Sequence, residues 1–94
     1  MRLTASEQGA IRQTVANYDQ QAKVYLFGSR VDDAKKGGDI DLLVISPRLG
    51  FAEKLNILAD LHEQLGDQKI DLLLDKDGGG EFTQTILPGA VEIN

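Results

Sequence analysis

Hydrophobic and polar positions along this chain follow two different periods, and each change of period marks an element. Ile11, Val15 and Tyr18 recur at spacings of four and three, the period of one helix face. Thr4 followed three residues later by Glu7 has the form of a capping box. The spacing therefore predicts a first helix from about Ala5 to Tyr18. Lys23-Val24-Tyr25-Leu26-Phe27 is a short β-rich run that stops at Gly28-Ser29. Residues 30–38 are polar, with room for one helical turn before Gly37-Gly38. A second strand reads from Asp39 to Ile45 and ends at Ser46-Pro47, and a third from Lys69 to Leu74. Between them Phe51, Leu55, Leu58, Leu61 and Leu65 repeat at threes and fours. That is the apolar stripe of an amphipathic helix, and Gly66 closes it. After the glycines Gly78-Gly79-Gly80, Glu81 to Leu87 reads as a short helix stopped by Pro88-Gly89. Val91-Glu92-Ile93 is then an edge strand.

This order predicts one small α/β (α+β) domain over residues 1–94, a mixed sheet with helices packed on one side. A helix between the second and third strands makes that connection a crossover, which places the two strands parallel. The first and second strands, joined by a loop, are expected to be antiparallel.

Composition narrows the functions. A chain of 94 residues hides about 60–65% of the surface its unfolded form exposes, so the acceptor of any reaction is expected to be presented by something else. The net charge of −5 speaks against a general grip on nucleic acid, which needs clustered cations. With no cysteine there is no disulfide, zinc thiolate or thiol redox chemistry. No apolar run approaches a membrane span and the first residues lack a signal-peptide core, so a cytoplasmic location is the default expectation.

Alternation then assigns the acids to a face. Asp39 and Asp41, two residues apart, project from the same side of their strand, while Ile40, Leu42 and Val44 face the core. Asp71, between Ile70 and Leu72, stands opposite an apolar face as well. In parallel neighbours both groups of acids lie near the strand starts, and an antiparallel first strand delivers Gly28-Ser29 to the same end. Three carboxylates on one face repel each other unless cations compensate. Oxygen ligands without His or Cys select a hard cation, Mg²⁺ above all. A pair of metals held this way suits nucleotidyl or phosphoryl transfer. Gly28 lets a backbone approach phosphate, the following turn offers free N–H groups, and Ser29 and Arg30 are further partners for a triphosphate. Taken singly each signal has an ordinary explanation: a turn, a solvated strand end, a charged loop at Lys35-Lys36, a structural role for His62. Their combination is specific.

The motifs Leu26-Phe27-Gly28-Ser29-Arg30, Gly37-Gly38-Asp39-Ile40-Asp41-Leu42-Leu43-Val44 and Lys69-Ile70-Asp71-Leu72-Leu73 resemble those of the DNA polymerase beta-like nucleotidyltransferases. They are similar in particular to the minimal nucleotidyltransferases of that superfamily. The resemblance implies a polymerase beta palm-like fold. It implies that Asp39 and Asp41 bind two Mg²⁺ ions, and that Asp71 helps hold the catalytic metal and deprotonate the acceptor. Gly28 and Ser29 would hold the triphosphate, with ATP as substrate. It further implies a hetero-oligomer with a toxin of the HEPN family, and an antitoxin that acts by placing AMP on that toxin. An antitoxin that neutralises its toxin by covering it, without catalysis, is the alternative. An Asp-phosphorylated receiver fits less well, because receiver acids sit at strand C-terminal ends.

Overall fold

A computed structural model describes residues 1–34 and 38–93. Lys35 and Lys36, read above as a charged loop, and Gly37 of the glycine pair lie outside the described residues. The chain forms α1 (Ala5–Tyr18), β1 (Lys23–Phe27), a 3₁₀ turn (Gly28–Val31), β2 (Ile40–Ile45) and α2 (Phe51–Leu65). It continues through β3 (Ile70–Asp75), α3 (Glu81–Ile86), a second 3₁₀ turn (Leu87–Gly89) and β4 (Val91–Glu92). The capping box at α1 is formed: Glu7 N–H donates to Thr4 Oγ1 at 3.0 Å, and Thr4 N–H to Glu7 Oε1 at 2.9 Å. Inside the first turn of α2, Glu53 plays the same part by accepting from Gly50 N–H at 2.7 Å.

The sheet has the order β3-β2-β1-β4. β1 is antiparallel to both β2 and β4, and β2 is parallel to β3. The mixed sheet read from the connection types is therefore the one formed. Val24, Leu26, Ile40, Leu42 and Val44 line the face that α1 and α2 cover, where they meet Ile11, Val15, Ile57 and Leu61. Two side-chain bonds tie the helices together, Gln64 Nε2 to Thr14 Oγ1 at 2.8 Å and Tyr18 Oη to Asp60 Oδ2 at 2.9 Å.

The stripe expected on α2 is displaced. Ile57 and Leu61 are fully buried, with Leu58 and Leu65 packed beside them, whereas Phe51 and Leu55 are 71% and 50% exposed. At 100° per residue Leu55 lies about 160° from Ile57 and about 120° from Leu61, well off the line they define. Spacings of three and four thus fit two overlapping faces, and the sheet selects the one containing Ile57.

The other sheet face carries Phe27, Asp41, Leu43, Asp71 and Leu73, the alternates of the core residues. α3 lies over part of it. The Phe82 ring meets Phe27 edge-on at 6.2 Å and 73°, and Asp75 anchors the start of the helix by accepting from Gly80 N–H at 3.1 Å. No described helix is long and apolar enough to cross a membrane.

Candidate active site

The acids are positioned by register. Asp41 lies directly opposite Phe27 on β1 and opposite Asp71 on β3. Two carboxylates from neighbouring parallel strands are thereby held side by side, one half-buried and one exposed. The effect on Asp41 is plain: its carboxyl is pushed above the ordinary carboxylate range. Burial is the main cause, and the charges of Asp71 and Asp39 add to it, while Lys69 partly opposes them. Asp39 falls just before β2 and pairs with Lys69, Nζ to Oδ2 at 3.5 Å. Both side chains of that pair are well exposed, at 70% and 42%, so solvent screens it heavily.

The glycine turn is built against this pair. Gly28 has φ +81°, a conformation that glycine adopts without penalty. A Cβ there would collide with Asp41 Oδ2 and come within 3.2 Å of Asp41 Cγ. Gly38 has φ +93°, and a Cβ on it would collide with the Ser29 hydroxyl. The absence of a side chain at both positions is what lets the turn, Ser29 and Asp41 sit together.

Arg30, expected as a triphosphate partner, stands at the glycine turn with its guanidinium bonded to neighbouring segments. Its guanidinium donates to Gly38 C=O (3.3 Å), Arg2 C=O (2.9 Å) and Gln68 Oε1 (2.9 Å). Gln68 in turn donates to Glu7 Oε2 at 3.0 Å and to Leu65 C=O at 3.1 Å. Arg2 answers by donating to Ser29 C=O at 3.1 Å and, through its backbone, to Arg30 C=O at 2.7 Å. Arg30 therefore fastens the N-terminal segment, the glycine loop and the approach to β3 into one frame. His62 is exposed on α2.

Asp41, Asp71, Phe27, Leu73 and Phe82 border one cavity of about 460 Å³. Among the described residues no three His, Cys, Asp or Glu side chains stand in a ready-made metal cage. The chemistry of the donors nonetheless suits a hard cation: two oxygen ligands that repel each other in register, a third acid two residues away on a weak ion pair, and no nitrogen or sulfur ligand beside them.

The chain matches the family described as polymerase beta, nucleotidyltransferase over residues 10–93. It belongs to that family. No curated protein matches it. The four-stranded mixed sheet with its helices agrees with the polymerase beta-like fold, and membership assigns the domain to the nucleotidyltransferases at the general level.

Several residues around this candidate site were not identified as part of it from sequence. Phe82 reaches the site from a distant segment, and nothing in its local pattern distinguishes it from a core aromatic. Gln68 and Arg2 act through contacts between segments far apart in the chain, and Gly38, quoted in the second motif, meets Ser29 in the same way. Lys69 had a readable signal, since it precedes Asp71 by two residues and so shares its strand face.

Proposed function

We propose that this chain is a Mg²⁺-dependent nucleotidyltransferase that moves a nucleoside monophosphate, AMP from ATP, onto a partner protein. In this reading it serves as the antitoxin of a HEPN-type toxin in a cytoplasmic hetero-oligomer. The observation that carries the reading is the placement of Asp41 between the Gly28 turn and Asp71. The glycine turn thereby packs directly against one of two crowded carboxylates, so a phosphate bound by the turn's N–H groups would lie beside both. Asp39, Asp41 and Asp71 would hold Mg²⁺, whose bound state would relieve their repulsion and supply Lewis-acid activation of the phosphate. Gly28 and Ser29 would receive the triphosphate through the N–H groups of their turn and the Ser29 hydroxyl. Arg30 supports that turn from behind through its bonds to Gly38 and Arg2.

The second reading is neutralisation of the toxin by covering it, without catalysis. The two are separated by incubating the protein and its partner with Mg²⁺ and each nucleoside triphosphate, followed by intact mass. A gain of one nucleoside monophosphate on the partner is the expected result. A stable complex with no mass gain under any triphosphate would sink the catalytic reading.

A further inference from the structure

The strand that carries Asp71 is also an open edge of the sheet. The opposite edge, β4, is two residues long, a common way of blunting an edge. β3 runs for six residues without proline, and among the described residues β2 is its one strand neighbour. The parallel ladder runs from Ile40 N–H donating to Lys69 C=O at 3.0 Å to Ser46 N–H donating to Asp75 C=O at 2.9 Å. Backbone groups on one side of a strand belong to alternate residues. Ile70, Leu72 and Leu74 therefore turn their N–H and C=O groups away from β2. No described group bonds them there.

That edge is recessed, since Ile70 and Leu72 are each 5% exposed. Unpaired backbone in such a position is costly unless a partner or water satisfies it. Two cavities follow the strand. One of about 460 Å³ adjoins Asp71, Leu72 and Phe82, and one of about 320 Å³ adjoins Leu74, Asp75 and Phe51. Both touch Lys54 and Leu73, so together they form a groove along β3 that starts at the Asp41–Asp71 pair. The exposed large apolar side chains among the described residues are Phe51, Leu55 and Phe82. Phe51 and Phe82 are walls of this groove, and Leu55 follows Lys54 on α2.

We propose that the groove receives an extended segment of a partner protein, which adds to β3 as a further strand. Main-chain bonds supply affinity in this mode of recognition, and alternate side chains supply selectivity. On the site face β3 presents Asp71, Leu73 and Asp75, in a chain of net charge −5. On the α2 side the walls include Leu58 and Phe51. The complementary segment alternates accordingly, with a cation toward Asp71, since Asp75 is already held by the N–H groups of Asp77 and Gly80, and apolar side chains toward α2. A second copy of the chain is disfavoured because two recessed edges each carry walls that need the same space. The inference rests on the proposed function in one respect only: a side chain on the site face of the added strand arrives beside Asp71, where an acceptor is needed.

The probe is a labelled, end-blocked peptide Thr-Lys-Val-Leu-Val-Lys-Thr, titrated by fluorescence anisotropy without nucleotide or metal. Saturable binding is expected. N-methylation of one alternate set of its amides should weaken binding by at least about tenfold, through lost main-chain bonds, and methylation of the other set should leave it unchanged. Phe82→Ser and Phe51→Ser, both at exposed positions, should weaken it in a folded protein. Leu74→Pro, which removes an outward N–H and spares the β2 ladder, should do the same. Absence of saturable binding, or equal effects of the two methylation sets, would overturn the proposal. So would a homodimer that Leu74→Pro dissolves. Peptide binding without any nucleotidyl transfer removes the proposed function and keeps the groove, while transfer to a partner with no strand pairing removes the groove and keeps the function.

Discussion

Replacing Gly28 with alanine asks whether the turn and the Asp41 carboxylate form one packed unit. Gly28 sits at φ +81°, where a side chain costs about 1–2 kcal/mol. The new Cβ would collide with Asp41 Oδ2. Asp41 has little room to yield, because its strand is paired with Phe27 on one side and Asp71 on the other. Turning the carboxylate toward Asp71 brings like charges closer, and a forced side-chain angle adds about 0.5–1.5 kcal/mol. The sum is a loss of about 1.5–3.5 kcal/mol, and each kcal/mol lowers Tm by roughly 4–8 °C in a domain of this size. Thermal and urea unfolding of the parent, Gly28→Ala, Asp41→Ala and the double variant would separate the two parts. The backbone part persists without the carboxylate and the collision part vanishes, so the cycle should show a coupling of about 0.5–1.5 kcal/mol. An equal cost of Gly28→Ala in both backgrounds would refute the contact. A Tm unchanged by Gly28→Ala would refute the backbone argument as well.

Asp41→Asn should leave the ligand-free Tm at pH 7 equal or higher while nucleotidyl transfer falls by orders of magnitude. The folded Asp41 binds its proton more tightly than the unfolded chain does. Its stabilising effect is thus full below the ordinary value of 3.8 and is lost as pH rises through the raised folded value. The advantage of asparagine should accordingly grow with pH across that window, and a pH series of melting curves showing no such growth would remove the burial argument. Mg²⁺ and ATP together should raise Tm by more than the sum of each alone. At about 100 times the dissociation constant the gain is about 2.7 kcal/mol, and simple additivity in the melts would count against a metal-bridged triphosphate. Arg30→Lys keeps the charge but loses a planar fork that serves three acceptors, so it should cost about 1–3 kcal/mol in urea unfolding. A Tm equal to the parent's would show that the frame around Arg30 is dispensable.

The parts of the site that were legible are those governed by short-range rules. Thr4 and Glu7 declare a helix start, and the alternation Asp39-Ile40-Asp41 sorts acids from core on one strand. A helix between two strands implies the parallel pairing that sets Asp41 beside Asp71. What was not legible depends on distances no local pattern encodes. Phe51 and Leu55 satisfy helical spacing but miss the sheet, because the orientation of α2 is decided by the packing of Ile57 and Leu61. Arg30 could be read as a cation beside the glycine turn, but its bonds to two carbonyls and an amide from three separate segments could not. Asp39 and Asp41 look equivalent in sequence. Only the ladder shows that one is seated between two strands and the other lies outside the strand, opposite a lysine.

The register of β3 on β2 also has a consequence for how the chain finds its native form. Side chains alternate, so a slip of one residue would turn Asp71 toward Ile57 and Leu61 and put Ile70 and Leu72 into water. An unpaired carboxylate in that apolar layer costs several kcal/mol, and the exposure of two aliphatic side chains adds to the penalty. The same acids that crowd the site thus act as a registration mark during folding, rejecting misaligned strands before any ligand is present. Their repulsion in the aligned sheet is small beside the cost of the misaligned alternative, so a cluster that is unfavourable as a local contact is favourable as an instruction.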